Sequence, residues 1–527
     1  MNWLDLIIQH SPPLIVAVPL LTAFLTPLVS RINDTVRNLF VLIMLGITSF
    51  LIVLLGNDVL ANGIRVYVFG GGLPVPSGMT IPVRIMFEID SMNIFMAIIT
   101  IILALIAIVY SWSFMKKEDG LDKYYTIVLL LVTSTLGMEL TGDFFNFFVF
   151  LEISCITSCA LIAFWVHKGE ALEAALKYII ISSIAALFVL FAIGLFYAQY
   201  NALNIATIAN AIEYSPLDKI ALVILIAALA MKAGLIPMHM WLPDSYGEAP
   251  PSVTIVIIGA TLASIYGAIR ILFTIYGKAF TNLIPALSSS AIQWFIIALA
   301  LATILIGVIM ALIQTDFRRL IGYAAVAEIG YIFLGIGVGL TTFGVGYGNI
   351  ALQGGVFHML NDALDIGLLF LIAGAVYYAT KETSLDKIGG LARNMKYTTI
   401  FFVVGFLAVS GMPPFNGFAS KFMIYESTYQ LNPILSIIAI LASILLLAVF
   451  VKVFYSVFMG PKLQRFEDVK EVPRSMLIAM GAVVVIIIIF GLFPNIVINN
   501  IVQPATQALT NYSTYISKVI SAAAGVI

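Results

Sequence analysis

Several ionisable side chains lie deep inside long apolar segments of the sequence. Glu152, Lys232 and Glu328 are each flanked on both sides by runs of aliphatic and aromatic residues. A charged group near the centre of a lipid bilayer costs from roughly 3 to more than 10 kcal/mol, so such residues persist mainly where they transfer ions or pair with one another. These three residues are therefore the first candidates for chemistry.

A further apolar segment, GGVFHMLNDALDIGLLF, carries several polar groups in helical register. His358, Asp362 and Asp365 have the spacing i, i+4, i+7, which places them on one face of a helix, and Asn361 lies beside them. A lone histidine would be interpreted as a hydrogen-bonded interior residue. The neighbouring aspartates make a relay of titratable groups an equally good interpretation.

A lysine held close to a carboxylate inside a protein can act as a protonation switch. Two unit charges about 4 Å apart interact by roughly 4 kcal/mol at an effective dielectric constant of 20, which is about a thousandfold in proton affinity. Moving the carboxylate would therefore switch the lysine between holding and releasing its proton. Glu152 and Lys232 are the candidate pair, and the alternative is a static buried ion pair that fixes helix register.

Five other polar residues lie near the ends of apolar segments. Arg270 and Lys452 are expected to extend their charged groups to the membrane interface. Lys177 lies at the inner end of a segment, where a structural and a functional role are equally good interpretations. Glu139 and Asp143 lie near the outer ends of two segments, where they either line a channel mouth or are merely solvated.

The composition explains why these residues stand out. Of 527 residues, 61% are hydrophobic and 10% are charged, with a mean hydropathy of +1.08, whereas a soluble domain carries about 25% charged residues. About fourteen apolar runs are long enough to cross the bilayer as helices, which predicts an all-α polytopic membrane protein. A formal net charge of −1 offers no basic surface to nucleic acid. Cys155 and Cys159 lie on one segment without a second ligand pair, so no metal site is predicted.

The distribution of cations predicts the orientation. An even number of spans puts both termini on one side, and if that side is external, 17 of the 26 Lys and Arg fall in inner connections and 5 in outer segments. The positive-inside rule therefore places both termini outside the cell membrane. The long outer loop is expected at about Gly56 to Asp90, and the N-terminus lacks the features of a cleaved signal peptide. Residues 503–527 either lie along the membrane surface or pack on a neighbour.

Two of the spans are interrupted by glycine and proline. The segment MKAGLIPMHMWLPD contains Lys232 and His239, and the segment SGMPPFNGFASKF contains Lys421. Proline removes a hydrogen-bond donor, so protein or water must satisfy the carbonyl groups that each break frees. Broken helices of this kind mark ion or substrate sites in transporters.

The two breaks indicate an internal repeat. They lie five spans apart, and each follows a span with a central glutamate, Glu152 in the first case and Glu328 in the second. Because five is odd, the second copy must be inverted in the membrane. The predicted organisation is N-terminal helices (residues 1–120), a first five-helix repeat (121–277), a second inverted repeat (278–460), and an inner loop with helix 14 and a tail (461–527).

The sequence resembles the antiporter-like subunits shared by complex I, Mrp-type sodium/proton antiporters and membrane-bound hydrogenases. The resemblance covers about Asp143 to Glu426 and is carried by LTGDFFNFFVFLEI, MKAGLIPMHMWLPDSYGEAPPSV, DFRRLIGYAAVAEIGYIFLGIG and SGMPPFNGFASKFMI. It implies fourteen helices, two inverted repeats and a proton route, with the D-type subunit of Mrp antiporters and the N-type subunit of complex I as the most similar branches. In this resemblance Glu152 is the family's fifth-helix glutamate, Lys232 its seventh-helix lysine and Lys421 its twelfth-helix lysine.

The chain also departs from the family pattern. Leu262 occupies a position on the eighth helix where relatives often carry lysine or histidine, and Glu328, Asp362 and Asp365 replace residues that are commonly neutral or basic. The central relay is therefore acidic. Three hypotheses follow: the carboxylates pass protons, they bind sodium through hard oxygen ligands, or the relay is broken at Leu262 and this copy does not conduct.

The sequence predicts a proton- or sodium-translocating subunit of a respiratory complex of the hydrogenase or NADH dehydrogenase type, or of an Mrp-type antiporter. No nucleotide-binding loop, cysteine cluster or heme ligand pair is present, so no cofactor is expected and electron transfer falls to other subunits. The expected partners are lipids, antiporter-like and small helical membrane subunits, and peripheral iron-sulfur subunits. The alternatives are a stand-alone transporter of a small solute and a non-conducting structural subunit.

Overall fold

The structure is a computed structural model that describes residues 3–69, 85–281, 289–461 and 463–524. In this part of the chain, eleven helices are long and apolar enough to cross a membrane. Three further predicted spans correspond to one helix of 20 residues and to two helices that are each broken in the middle. The all-α membrane class is confirmed, and the count of fourteen stays a prediction.

The N-terminal unit combines three long helices with a β-hairpin. Its elements are α1 (Trp3–Ser30), α2 (Asp34–Asn62), β1 (Arg65–Val68), β2 (Met86–Ile89) and α3 (Ser91–Phe114). The strands pair antiparallel with Arg65 opposite Ile89. Helix α2 continues past Gly56 to Asn62 and the hairpin strands follow it, so the predicted outer loop is shorter than Gly56 to Asp90. Residues 70–84 of that loop, with Arg84, lie outside the described ranges, as does Lys462.

The next unit contains the first broken helix. Its elements are α4 (Leu121–Leu140), α5 (Phe144–Ile162), α6 (Gly169–Tyr200), α7 (Ile205–Ala211), α8 (Pro216–Ala233), α9 (Trp241–Glu248) and α10 (Pro251–Arg270), which a π-helical turn extends over Ile271–Ile275. A capping box between Ser215 and Asp218 starts α8, with Pro216 in its first turn. The pair α8 and α9 forms the predicted seventh span.

The same order of long and broken helices then recurs. The elements are α11 (Gly277–Thr281), α12 (Ser289–Ile313), α13 (Phe317–Thr341), α14 (Tyr347–Thr380), two 3₁₀ turns (Leu385–Lys387 and Leu391–Arg393), α15 (Lys396–Val409), α16 (Asn416–Leu431) and α17 (Pro433–Val453), extended by a π-helical turn over Phe454–Met459. The pair α15 and α16 forms the predicted twelfth span. The predicted boundaries at residues 120, 277 and 460 fall at helix ends, and the division into repeats stays a prediction.

The C-terminal segment packs on the rest of the chain. After a 3₁₀ turn (Gln464–Phe466), it consists of α18 (Arg474–Leu492), α19 (Pro494–Val497), a π-helical turn (Ile498–Val502), α20 (Gln503–Thr510) and α21 (Tyr512–Ala524). Helix α20 contacts α3, while α21 contacts α7 and β1. Residues 503–524 therefore pack on other helices and the hairpin of the same chain, and the position of this segment relative to the membrane surface stays a prediction.

Three helices are enclosed by protein along their membrane-spanning length: α10, α13 and α14. Helices α13 and α14 approach closely because glycines face each other, and a Cβ added to Gly335 would lie 2.7 Å from the Cα of Gly355. These helices carry Leu262, Glu328 and the polar stripe of the sequence. The ionisable residues are therefore surrounded by protein and not by lipid.

Candidate functional site

A buried carboxylate connects α13 with α14 and α16. Lys421 donates a hydrogen bond of 2.8 Å to Oε1 of Glu328, and Nε2 of His358 lies 2.9 Å from Oε2 of the same carboxylate. All three side chains are only 1% exposed. One predicted residue from each of three spans therefore meets at a single buried centre.

A line of polar groups extends from this centre along α14 and α16. Nδ1 of His358 lies 3.0 Å from Oγ of Ser420, and Asn361 donates to that same oxygen at 2.8 Å. Asn416 donates to Asn361 at 3.0 Å and to Oδ1 of Asp365 at 3.1 Å. The sequence predicted the α14 members of this line but missed Ser420 and Asn416, which the helical stripe does not include because they lie on another helix.

The break between α15 and α16 positions Lys421. Helix α15 ends at Val409, and Gly411 follows with φ of 68°, a left-handed conformation that glycine adopts without strain. The ammonium group of Lys421 returns across the break and donates to the carbonyl of Val409 at 2.7 Å. The prediction that protein groups satisfy the freed carbonyls is confirmed here.

The first break has a similar construction with a different donor. Helix α8 is capped by Gly234, which has φ of 78°, and the indole of Trp241 donates to the carbonyl of Met231 at 3.0 Å. His239 lies within the break, buried, with no hydrogen-bond partner on Nδ1 among the described residues. It packs edge-on against Tyr323 at a ring distance of 6.4 Å.

Glu152 and Lys232, the candidate switch pair, form no ion pair among the described residues. Lys232 is buried in the last turn of α8, where it donates to Sγ of Cys155 at 3.0 Å and to the hydroxyl of Tyr178 at 3.1 Å. Among the described residues, the carboxylate of Glu152 forms no ion pair within 4 Å. Cys155 was interpreted as a small membrane-helix residue, and its contact with the lysine was missed because a cysteine alone gives no signal.

Asp362 on α14 and Leu262 on α10 are both buried. Asp362 is buried, and its Oδ1 has no hydrogen-bond partner among the described residues. On α10, Leu262 is buried and adjoins Thr261, which is hydrogen-bonded to Tyr246 at 2.8 Å. The polar contacts therefore run from Lys421 through Glu328 and His358 to Asp365, and the step between Glu328 and His358 is a close approach of 2.9 Å in which Nε2 makes no hydrogen bond.

The sodium hypothesis finds no ligand set in this geometry. Within residues 3–69, 85–281, 289–461 and 463–524, no three His, Cys, Asp or Glu side chains converge as a metal site. The two oxygens of Glu328 face Lys421 and His358, so a cation at this carboxylate would meet the ammonium group of Lys421.

Lys177 lies in a partly exposed ion-pair cluster. It contacts Glu173 and Asp244, each at 2.8 Å. Asp244 also binds Arg319 at 2.9 Å. The cluster joins one end each of α6, α9 and α13. Because Lys177 is half-exposed, these ion pairs contribute little to the stability of the protein, and they mainly fix the positions of the helix ends.

At the opposite end, the polar residues are buried rather than solvated. Asp143 caps α5 by accepting a hydrogen bond of 2.8 Å from the backbone of Asn146, and burial raises its pKa to about 6. Arg270, expected to extend to the interface, is enclosed and paired with Asp90 at 2.8 Å. The snorkelling prediction is therefore wrong for Arg270, since β2 and α21 cover the end of α10.

Glu88 of β2 is a buried carboxyl group that sequence reasoning missed. Its oxygens accept hydrogen bonds from Tyr515 and Asn204, and it is 1% exposed. Burial raises the pKa of Glu88 to about 7, against the hydrogen bonds from these two neutral donors. Its strand lies in a segment that carried no helical signal, which is why no pattern identified it.

Lys452 is exposed, and its amino group donates to the carbonyls of Leu312 and Gln314 at 3.1 and 3.2 Å. These carbonyls lie at the C-terminal end of α12, where a cation is favoured by the helix dipole. The structural interpretation of Lys452 agrees with this contact.

Two family models match the chain. The model described as "NADH:quinone oxidoreductase/Mrp antiporter, TM" matches residues 141–446, and the one described as "NADH-Ubiquinone oxidoreductase (complex I), chain 5 N-terminus" matches residues 76–125. The first covers more than half of the chain and contains every predicted pathway residue except Glu139.

The chain is also similar to named proteins over most of its length. It is 33% identical to the N-type subunit of the NADH-quinone oxidoreductase of Desulforudis audaxviator, over 94% of this chain and 98% of that protein. It is 28% identical to the D-type subunit of the Na(+)/H(+) antiporter of Alkalihalophilus pseudofirmus, over 88% of this chain and 90% of that protein. A chain of the membrane-bound sulfane sulfur reductase, an archaeal respiratory membrane complex, superposes with a TM-score of 0.83 at 26% identity, covering 96% and 99% of the two chains.

Proposed function

The chain belongs to the NADH:quinone oxidoreductase/Mrp antiporter family of membrane proteins, and we propose that it translocates protons as one membrane subunit of a multisubunit complex. The relatives are named as subunits of NADH-quinone oxidoreductase and of a Na(+)/H(+) antiporter. In this proposal the partners are further antiporter-like and small helical subunits, with redox subunits attached where the complex is respiratory.

One observation carries the proposal: the buried line from Lys421 to Asp365. Its contacts of 2.8 to 3.1 Å cross α16, α13 and α14 in an environment without lipid. The attraction within a buried ion pair often does not offset the cost of removing its charges from water. Apolar packing would therefore fix the helix positions at lower cost, if fixing them were the only role of these groups. The two ends of this line, Lys421 and Asp365, can each bind and release a proton, which supports a role in proton transfer.

The residues have distinct roles in this proposal. Lys421 holds a proton while Glu328 is close and releases it when the carboxylate moves away. His358 passes a proton because its two ring nitrogens face Glu328 and Ser420. Asn361 and Asn416 orient Ser420 and Asp365 without changing charge.

The first repeat has the same parts in a separated arrangement. Lys232 is held by the neutral groups of Cys155 and Tyr178, and Glu152 lies on the same face of α5 three residues before Cys155. We infer that Glu152 approaches Lys232 during the transport cycle, and that His239, Asp362 and the inner Lys177 lie along the route between the halves. Glu139 and Asp143 belong to its outer end.

The proposed location is the cell membrane with both termini outside. The excess of cations in the connections opposite the termini supports this orientation. It also places the hairpin, α20 and α21 at the outer surface.

The test compares proton flux in native membrane vesicles, driven by the complex's own energy source, across matched variants. Glu328→Gln and Lys421→Met should each lower the flux at least about a hundredfold, the range expected for loss of a proton-transfer group. Glu467→Gln, which changes an exposed carboxylate of the inner loop, should leave it unchanged. Normal flux in both buried variants would favour the non-conducting alternative.

Purification in mild detergent separates the remaining alternative. Co-elution of the chain with other membrane subunits, with or without iron-sulfur proteins, is the expected result. A monodisperse single chain that transports a small solute would instead identify a stand-alone transporter.

A further inference from the structure

Lys232, in the last turn of α8, is a buried amine without a carboxylate beside it. Its side chain is 4% exposed, and it forms no ion pair within 4 Å among the described residues. The buried carboxyl group of Glu139, to which Thr100 donates at 2.6 Å, can stay neutral by keeping its proton. A buried amine is neutral only after it has released a proton. The charge of Lys232 must therefore be removed or be compensated by a neighbouring anion.

Two side chains contact the nitrogen of Lys232. Its Nζ lies 3.0 Å from Sγ of Cys155 on α5 and 3.1 Å from the hydroxyl of Tyr178 on α6. A thiol loses its proton more readily than a phenol does, and a neighbouring lysine favours the thiolate form of a cysteine. Of the two contacts, Cys155 is therefore the one that can supply a negative charge.

The surroundings of Cys155 restrict its proton exchange to Lys232. The cysteine is fully buried, and a separation of 3.0 Å leaves no room for a water molecule between sulfur and nitrogen. Tyr178 packs edge-on against Trp241 at a ring distance of 5.1 Å. Cys159, one turn later on α5, differs from Cys155, because its sulfur lies 3.6 Å from the carbonyl oxygen of Ala175.

We propose that Cys155 exchanges a proton with Lys232 and serves as its counter-ion whenever Glu152 is apart. This inference rests on the proposed proton transport and adds a residue to its first half. With Glu152 close, the lysine is an ammonium group and the cysteine is a thiol. When Glu152 moves away, the ammonium group gives one proton to a water molecule of the transport route.

The pair that remains holds one proton between sulfur and nitrogen. It is either a thiol with an amine or a thiolate with an ammonium group, and its net charge is zero in both forms. Interconversion breaks one bond to hydrogen and forms another, S–H in one form and N–H in the other, so no oxidant or reductant is needed. Proton release from Lys232 therefore leaves no uncompensated charge in the protein interior.

Infrared spectroscopy of the purified complex tests the pair without transport. The S–H stretching band of a thiol lies apart from other protein bands, and subtracting the spectrum of Cys155→Ser separates the band of Cys155 from those of other thiols. We expect a weak, broad band when Lys232 is present and a stronger, sharper band in Lys232→Met. The Cys159 band, isolated in the same way with Cys159→Ser, should not change.

A Cys155 band that is the same with and without Lys232 would overturn the proposal. If Cys155→Ser does not assemble, Cys155→Ala supplies the same subtraction. The direct difference between the wild type and Lys232→Met reports the same change without any variant of the cysteine.

Flux measurements test whether the ionisable thiol is needed. Cys155→Ser keeps a group that accepts a hydrogen bond from Lys232 but does not ionise, so proton flux should fall at least about tenfold. Cys159→Ser is the matched control on the same helix and should leave the flux unchanged, because its sulfur contacts a carbonyl group and not the lysine. Normal flux in an assembled Cys155→Ser protein would contradict the proposed role.

The spectroscopic result and the proposed function can fail separately. If the Cys155 band responds to Lys232 while Lys421→Met and Glu328→Gln transport normally, the proposed function is wrong and the proton-sharing pair remains. If those two variants abolish flux while the Cys155 band does not respond to Lys232, the pair alone is wrong.

Discussion

Lys421 and Glu328 form a fully enclosed ion pair, with 2.8 Å between Nζ and Oε1. Lys232 and Glu152, which the predicted first repeat would pair in the same way, form no ion pair within 4 Å in the described part of the chain, and the lysine contacts Cys155 and Tyr178 instead. In the proposed function these are the closed and the open arrangement of a lysine-carboxylate switch. Alternation between them would let one half hold a proton while the other releases it.

Neutralising one member of the closed pair should destabilise the protein. Lys421→Met leaves the Glu328 carboxylate buried without its cation, which costs about 3 to 5 kcal/mol in the free energy of unfolding. The double variant Glu328→Gln, Lys421→Met should recover much of this loss, because no uncompensated charge remains. Thermal unfolding of the purified complex in detergent measures both.

Proton flux separates this stability effect from function. Glu328→Gln, Lys421→Met and the double variant should all transport poorly, although the stability of the double variant is largely restored. A double variant with normal stability and normal flux would show that the pair is only structural.

Ser420→Ala should interrupt the line between His358 and Asn361. The hydroxyl accepts from Asn361 at 2.8 Å and lies 3.0 Å from His358, so its loss removes the one group that both contact. We expect a fall in flux of at least about a hundredfold with a stability loss of only about 1 kcal/mol. The control is Ser427→Ala on the same helix, whose buried hydroxyl bonds only to backbone carbonyls and whose flux should stay normal.

The sequence predicted the polar groups of the membrane interior well because lipid excludes them. Glu328 was identified by the cost of its burial, His358 and Asp365 by their helical spacing, and Lys421 by the broken helix that precedes it, and the structure brings all four into one line. Their partners Ser420 and Asn416 were missed, since a serine or asparagine near a broken helix is too common to stand out. Contacts between helices depend on tertiary packing, which cannot be predicted from the periodicity of a single helix.

The prediction for Arg270, at the end of α10, failed for a related reason. Arg270 was expected to reach the interface because it lies at a span end, yet β2 and the C-terminal helices cover that end and bury it with Asp90. The sequence showed the hairpin only as a loop and left the tail undecided. Pairing between segments more than 400 residues apart, such as Glu88 with Tyr515, has no local signature.

Asp362 and Asp365 should both be required for proton flux, for different reasons. Asp365→Asn removes the carboxyl end of the line, so we expect proton flux to fall at least about tenfold. Asp362→Asn tests whether the unpaired carboxyl connects the halves, and a similar fall is expected from the proposed route.

Each flux is measured with sodium varied. Because no three-ligand cation site is formed in the described residues, the flux should not depend on sodium, and a dependence lost in either variant would restore the sodium hypothesis.

The contact between β2 and α21 should weaken as the pH rises. Glu88 faces Tyr515 and Asn204, with Arg270 and Asp143 nearby, and burial raises its pKa from 4.5 to about 7. Below pH 4.5 the group is neutral in both folded and unfolded protein. Above pH 7 the folded protein must bury a carboxylate, which costs up to about 3 kcal/mol.

Hydrogen exchange of the α21 amides measures this effect. Protection should fall between about pH 5 and pH 8, while Glu88→Gln should be protected to a similar degree across that range. Loss of protection with the same pH dependence in both proteins would assign the effect to another group, of which Asp143, with a pKa of about 6, is the first candidate.

The close approach of α13 and α14 should be required for the buried centre. A Cβ at Gly335 would lie 2.7 Å from the Cα of Gly355 and 2.8 Å from the carbonyl oxygen of Ala351. Backbone atoms cannot yield at that distance, so Gly335→Ala must push the helices apart, at a cost of about 1 to 3 kcal/mol. The separation lengthens the 2.9 Å contact between Glu328 and His358, and flux should fall with stability. Gly194→Ala on α6 is the control, because its added methyl group meets no atom within 4 Å and alanine favours the helix. Equal flux in the two variants would show that the centre tolerates a shift of α14 and does not depend on this spacing.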